Sequence, residues 1–430
     1  MDKQFFISNR KKLFKIMEDN SLAIFYAART GPGKLPVEFA QKRNFYYLSG
    51  INVPNVILIL YKKGKKNKEL LFIERNIPEL EVWLGKKLSK NNTKEISGIE
   101  TVYYSDEFER HLHFYATSTN ICYYDIETSL INSNLSYGLS QLNLIKEHYP
   151  ILRIEKVNPF LSKLRMKKSK EEINNIKKAI SYTNYGIRSI LKHTKPGMME
   201  YELEAYFKFE CTKRGEKQLA FSPIVASGEN ATILHYEKNN SKIKKNDLVL
   251  LDVGAKCNEY NADISRTFPV SGKFSKRQKD VYKEVLQIQK KIIDSVKPGV
   301  TLKELQDKTI ELMKEALLKL KLITKKSKGS PSPSPDISGA ATDGKEDYKK
   351  YYMHGVSHHI GLDAHDLCDR EKKLTVGNVI TVEPGIYIKE EKIGVRIEDD
   401  ILITKNGCEV LSSMIPKEIK EIEEIMAKKE

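Results

Sequence analysis

NDLVLLDVG, residues 246–254, and GNVITVEPG, residues 377–385, carry one pattern twice: an apolar, β-leaning run that ends in an acid, Asp252 in the first and Glu383 in the second. A second acid follows each on another strand-like segment, Asp263 in NADISRTFPV and Glu398 in GVRIEDDILIT. The intervals, 11 and 15 residues, suit hairpins that bring each pair of acids side by side. Upstream of each copy lies a second repeat, KPGMMEYELE (195–204) and KPGVTLKELQ (297–306). Each of these follows one long helical pattern and opens another. The duplication predicts a unit built from two related halves, each with two helices and an acid-bearing hairpin.

Around this unit the chain divides. Ser169 with Glu172 three residues on is a capping-box signature. Behind it Ile173, Ile176, Ile180, Thr183, Ile187 and Ile190 recur at helical spacing and form one apolar face. The boundary is placed near 160–168, which gives an N-terminal α/β domain over 1–163 and a catalytic α+β domain over 164–430. In the first domain SLAIFYAA (21–28), NVILILY (55–61), ELLFI (69–73) and ICYYDI (121–126) read as strands. The basic segment KKGKKNK reads as a longer hairpin loop between the middle two, and 137–148 reads as a helix. The stretch 325–350, rich in Ser, Pro, Gly and Lys, is too poor in apolar residues to order itself and is expected to be a flexible surface insertion.

Composition narrows the function class. At 430 residues, 40% hydrophobic and 30% charged, the chain reads as soluble and globular. It has no apolar run of about 18 residues to span a membrane, and no secretory apolar core of roughly 7–15 residues. Five scattered cysteines with no CxxC pair fit a reducing cytoplasm better than a disulfide framework or zinc cluster. The net charge of +16 comes mainly from dispersed Lys, without aromatic interleaving or a nucleic-acid motif. Neither nucleic acid nor membrane is an expected partner.

An acid inside a buried strand is costly unless it is paired or bound to a cation. Asp252, Asp263, Glu383 and Glu398 in one place would need a divalent pair to balance them. HGVSHHIGLDAHD (354–366) holds four of the nine histidines, and His358 supplies a fifth ligand. Four hard oxygen donors with one nitrogen suit Mn, Co or Fe rather than structural zinc, so two divalent ions, Mn2+ in preference, are expected. Such a pair, roughly 3.5–4 Å apart, lowers the pKa of a shared water toward neutrality and makes a hydroxide nucleophile for amide or ester hydrolysis. His235, His354 and His365 are candidates to hydrogen-bond substrate or a tetrahedral intermediate, and Glu383 to carry the proton to the leaving amine. His359, next to a ligand on a strand, points the other way and is left aside.

LLDVGAKCNEYNADISRTFPVSG, MHGVSHHIGLDAHD, VITVEPGIY and GVRIEDD resemble the pita-bread metallopeptidases over 160–416. Nearly the whole chain resembles the Xaa-Pro aminopeptidase (aminopeptidase P) and prolidase branch. The resemblance implies a creatinase-type α/β domain, followed by a pita-bread domain with pseudo-two-fold internal symmetry. It places the metal ligands on Asp252, Asp263, His358, Glu383 and Glu398, the active-site histidines on His235, His354 and His365, and an active-site arginine on Arg396. RNFYYLSGIN (43–52) and EVWLGKK (81–87) resemble the first domain of this branch, where the segment matching Trp83 approaches a neighbouring subunit's site. The expected activity is hydrolysis of peptides with proline second by a homodimer or homotetramer. Prolidase is the alternative within the branch, and a non-catalytic binder on the same fold the alternative from another class.

Overall fold

The computed structural model describes residues 1–30, 39–126, 136–324 and 347–428. The expected insertion lies outside the described residues except for its end, where Asp347–Lys350 forms a 3-10 turn. The chain divides into two compact units, Met1–Leu164 and Arg165–Glu430.

The first unit is a six-stranded mixed sheet in the order β4-β3-β2-β1-β5-β6. Its strands are β1 (Ser21–Tyr26), β2 (Ile57–Lys63), β3 (Lys66–Ile73), β4 (Thr101–Tyr104), β5 (Ile121–Tyr124) and β6 (Arg153–Lys156). β1 pairs with β5 in parallel and with β2 antiparallel. The β2–β3 hairpin forms, but its loop is not long: Lys63 pairs with Lys66, so most of KKGKKNK is strand. Ladder hydrogen bonds satisfy the backbone there; Lys62 Nζ donates to Phe14 O (2.8 Å) and Met17 O (2.6 Å) at the end of the first helix, while Lys63, Lys66 and Lys68 stay exposed. Helices α1 (Lys3–Ile16), α2 (Arg43–Ser49), α3 (Pro78–Leu84), α4 (Lys90–Ser97), α5 (Phe108–Ala116) and α6 (Tyr137–His148) complete the unit. Leu22, Ile24, Ile59, Phe72 and Cys122 on the sheet bury against Phe108, Leu112, Leu142 and Ile145 of α5 and α6. Helix α7 (Asn158–Met166) leads out of this unit, and its last two residues belong to the second.

The second unit repeats itself. Helix α8 (Lys170–His193) starts at the predicted box: Glu172 N–H donates to Ser169 Oγ (3.3 Å), and Ser169 N–H to the Glu172 carboxylate (2.7 Å). Of its apolar stripe Ile176, Ile180, Thr183, Ile187 and Ile190 are buried, and Ile173 only partly so. A KPG turn leads to α9 (Glu200–Thr212). In the second half α10 (Lys276–Ile293) leads through its own KPG turn to α11 (Leu302–Lys319). Gly197 and Gly299 take the same left-handed conformation, φ +94° and +95°.

Each helix pair precedes a three-stranded sheet. In the first half β7 (Ile224–Ser227), β8 (Leu248–Val253) and β11 (Ile264–Pro269) stand in the order β11-β8-β7, with the small hairpin β9 (Lys256–Cys257) and β10 (Tyr260–Asn261) between β8 and β11. In the second half β12 (Val379–Val382), β15 (Asp399–Thr404) and β16 (Gly407–Val410) form one sheet. The hairpin β13 (Gly385–Ile388) and β14 (Ile393–Arg396) is inserted after β12, and α12 (Ile419–Ala427) closes the unit. The halves join along β11: Glu398 N–H donates to Ser265 O (3.0 Å), and Thr267 Oγ1 bonds both the N–H and the C=O of Arg396.

The approach of β14 to the turn Gly228–Thr232, which leads to His235, requires a glycine. A Cβ on Gly394 would lie 1.9 Å from Ala231 O, a backbone atom that cannot swing aside. Gly394→Ala should lower stability by about 1–3 kcal/mol through overpacking and reduce activity, although residue 394 has no side chain to reach a substrate. Thermal unfolding and turnover of the purified variant check this, and wild-type values for both would contradict the packing described.

Candidate metal centre

Hairpin register brings the acids together. In the first half Asp252 pairs with Ser265 and Val253 with Ile264, so Asp263 is the diagonal neighbour of Asp252 on the same face. In the second half Val382 pairs with Asp399, which leaves Glu383 and Glu398 facing each other just beyond the ladder. The join at Ser265 then sets the two pairs against one another.

His358 arrives on a segment that runs antiparallel beside β12. Thr381 N–H donates to His358 O (2.9 Å), Glu383 N–H to Val356 O (2.9 Å), and His359 bridges Ile380. The equivalent neighbour in the first half is β7, in which Ile224 pairs with Asp252 and Ala226 with Leu250. If Asp252 is aligned with Glu383, Ala226 occupies the register position that His358 occupies. Two related halves therefore yield four carboxylates but only one imidazole.

His358 Nε2 lies 3.6 Å from Asp263 Oδ2 and 3.5 Å from Glu383 Oε1. Ligand atoms of Asp263, His358 and Glu398 all lie within 4.8 Å of one another, close to twice the roughly 2.0–2.2 Å of a metal–oxygen bond. Asp252 Oδ1 is buried without a hydrogen-bond partner, while its Oδ2 accepts from Arg396 (2.6 Å). Arg396 also donates to Ser265 Oγ (2.8 Å), which donates to Glu398 Oε2 (2.7 Å). A single guanidinium cannot neutralise four acids. An orphaned carboxylate oxygen beside three converging ligands fits a divalent cation.

The electrostatics agree. Burial, then the charges of Glu398 and Asp252, raises the Asp263 carboxyl well above its ordinary range. Burial and Glu398 raise Glu383 against the opposing charge of Arg396. Burial and Asp252 push Glu398 up to about 8, again against Arg396. Burial holds the His354 and His358 imidazoles down at about 4, so His358 presents a neutral nitrogen, as metal ligation requires.

Asp252, Asp263, His358, Glu383 and Glu398 line one cavity of ≈ 690 Å³ together with His235, His354, His365 and Arg396. The His358 and His365 rings are 4.2 Å apart. His354 Nδ1 bonds Gly355 O (2.9 Å), and Tyr387 donates its hydroxyl to His354 Nε2 (2.8 Å) while accepting from Arg396 (3.0 Å). His359 is buried outside this cavity lining. Sequence reading missed Tyr387, Ser265, Gln306 and Arg370. Tyr387 closes VITVEPGIY on β13, and only its bonds to His354 and Arg396 distinguish it from an ordinary strand tyrosine. Gln306, whose Oε1 accepts from Val356 N–H (2.7 Å), gave no local signal.

Carboxylates and an imidazole converging in a cavity of a pseudo-symmetric α+β unit define a metal-dependent hydrolase. The chain belongs to metallopeptidase family M24, whose model matches residues 174–405, and a model of the aminopeptidase P N-terminal domain matches residues 6–123. Its fold is accordingly a creatinase-type α/β domain followed by a pita-bread domain. The chain is 33% identical to the Xaa-Pro aminopeptidase of Haemophilus influenzae, over 99% of this chain and 98% of that protein. A candidate aminopeptidase P structure from Bacillus anthracis is 42% identical, with a TM-score of 0.91 over 100% of this chain and 99% of that one. Aminopeptidase P from Escherichia coli with the inhibitor Pro-Leu is 29% identical, with a TM-score of 0.87 over 99% and 98%.

The raised carboxyls predict a pH dependence. Glu398 holds its proton in the folded protein up to about 8 but releases it near 4.5 when unfolded. Metal-free protein should therefore lose stability as pH rises from about 6.5 to 8, because there the folded state binds more protons than the unfolded one; below about 6.5 the His354 and His358 imidazoles, held at about 4 when folded, act in the opposite sense. Asp366 and Asp399, held at about 2 when folded, are ionised throughout that range. Added Mn2+ should reverse the loss, by about 2.7 kcal/mol at 100 times its Kd. Thermal unfolding of chelator-treated protein from pH 6.5 to 8, with and without Mn2+, measures both effects. A flat, metal-insensitive profile would contradict the electrostatics.

Proposed function

We propose that the protein is a metal-dependent Xaa-Pro aminopeptidase, which removes the N-terminal residue from peptides whose second residue is proline. The observation that carries this reading is the single cavity lined by Asp252, Asp263, His358, Glu383 and Glu398 with His235, His354, His365 and Arg396, in a chain of family M24. The first five residues are assigned as ligands of two divalent cations, because two such ions balance the charge of four carboxylates and carboxylates can bridge. Mn2+ is preferred on the hardness of the oxygen donors. Divalent cations bound there supply Lewis acidity toward the scissile carbonyl and a water acidic enough to attack at neutral pH.

The remaining steps fall to the protein. Glu383 moves the proton from the attacking water to the leaving proline nitrogen, with Oε2 standing 3.9 Å from His354 Nδ1. His354, fixed between Tyr387 and Gly355, shapes the wall behind that carboxylate. His235 and His365 hydrogen-bond the peptide and the tetrahedral intermediate. Arg396 offsets the negative charge of Asp252 and orients Tyr387. Support for an assembly of identical subunits comes from α3, where Val82 is 88% and Trp83 78% exposed and Ile77 at its start is exposed as well, since apolar residues exposed together mark interaction surfaces. The five unpaired cysteines support a reducing compartment, with the cytoplasm as the proposed location. Among the described residues no helix is long and apolar enough to cross a membrane.

Arg-Pro-Pro should be cleaved by Mn2+-loaded protein and not after chelation. Faster cleavage of Gly-Pro than of the tripeptide would move the assignment to prolidase, and no cleavage of either by folded, loaded protein would favour a binder. Glu383→Gln should cut turnover by about 10²–10⁴-fold, the usual contribution of a general acid–base group, with the fold intact by circular dichroism. Near-wild-type turnover would remove Glu383 from the proton path. Metal analysis should return two ions per chain, and light scattering a mass above that of the monomer.

A further inference from the structure

Behind the cavity lies a buried ionic cluster that the proposed chemistry leaves unused. Arg165 donates through one nitrogen to Asp363 (2.7 Å) and to Asp366, and Lys168 Nζ donates to Asp366 Oδ2 (2.7 Å). The side chains of Arg165, Lys168 and Asp366 are at most 2% exposed. Gly361 shows how tight the packing is: a Cβ there would meet Asp366 Oδ2 at 2.3 Å and the Lys168 Cε at 2.8 Å. Buried ion pairs are weak devices for stability, since desolvation offsets most of their attraction. The cluster is better explained by what it positions.

Asp366 is the residue after His365, and its own N–H donates to His359 O at 2.8 Å. That carbonyl also accepts from His358 Nδ1 at 3.1 Å. With Nδ1 engaged there, Nε2 keeps its lone pair toward Asp263 and Glu383. The same stretch of backbone holds the second half-site from the other side, since Lys168 N–H donates to Gly377 O (2.8 Å) and Asn378 donates to Met166 O (2.9 Å) at the entry to β12. Residues 165–168 thus tie the histidine loop and the strand leading to Glu383 to one short segment.

We propose that Arg165, Lys168 and Asp366 are positioning residues for the metal centre: they lock the Asp366 amide on the His359 carbonyl, which fixes the tautomer and tilt of the His358 ring and seats His365 beside it. The inference rests on the metal-ligand reading of His358. Groups that orient a ligating imidazole typically contribute about 10–100-fold to metal affinity or activity.

The test uses Lys168→Met in the full chain, which removes one cation and leaves Arg165 to face Asp366. Metal-free wild type and variant are titrated with Co2+ while the visible absorption of the bound ion is followed. The clamp predicts a Kd for Co2+ raised by about 10–100-fold, an altered absorption band, and a fall in kcat larger than any change in KM for Arg-Pro-Pro. If Lys168→Met does not fold by circular dichroism, Arg165→Lys takes its place, since the lysine ammonium stops short of the position from which the guanidinium nitrogen meets Asp363 and Asp366. A folded variant with lowered Tm but wild-type Co2+ affinity and spectrum overturns the clamp and leaves a merely structural cluster. Wild-type protein that takes up no Co2+ overturns the metal-centre reading itself, and the clamp with it.

Discussion

Four carboxylates of like charge, two buried and two half-buried, are the constraint on which this structure turns. Apart they would each be hydrated at a strand end. Together they repel, and burial sharpens the repulsion because it lowers the effective dielectric between them. Asp263, Glu383 and Glu398 accordingly keep their protons far above the ordinary range. Folding would not by itself collect such groups. The rest of the second unit makes sense as the framework that collects them so that divalent metal can complete the balance, at some cost to the stability of the metal-free protein.

That framework is assembled from duplicated parts that are not used identically. The halves share a KPG turn, a helix pair and an acid-bearing hairpin, but the strand beside β8 carries Ala226 where the segment beside β12 carries His358. The single imidazole gives the centre a polarity that two-fold symmetry would have erased. Arg396 adds to it by engaging Asp252 in one half and, through Ser265, Glu398 in the other. Outside the cavity lies a second charged region, the cluster of Arg165 and Lys168 with Asp363 and Asp366, in which opposite charges are matched and Asp366 is held at about 2 despite its burial. The contrast is instructive. Where charges are matched, the acid stays ionised without a metal; where they are unmatched, the acids hold protons or call for a cation.

Much of the site could be read from the chain because buried-strand flanks around an acid are unusual enough to stand out, as in VLLDVG and ITVEPG. His235, His354 and His365 gather on the cavity wall with Asp252, Asp263, His358, Glu383, Glu398 and Arg396. Tyr387 and Ser265 were passed over because a tyrosine or serine on a strand is ordinary until its partner is known. Gln306 and Arg165 could not have been found, since their significance lies wholly in what they touch. The hairpin in the first unit shows the same limit on a small scale: a lysine-rich segment looks like loop, yet a ladder accepts it when the side chains have water to enter.

By itself the sequence determined the elements and the inventory: apolar alternation set the strands, Ser169 with Glu172 set the start of α8, and a repeated acid at a strand end set the kind of chemistry. These are short-range properties, written within a few residues of where they act. Only the tertiary structure decided that the two hairpins meet across the Ser265–Glu398 contact, which joins residues 133 apart, and that Arg165 reaches Asp366 over a separation of 201. Such pairings depend on how twisted sheets and packed helices bring distant backbone together, and no local pattern in a chain encodes that distance.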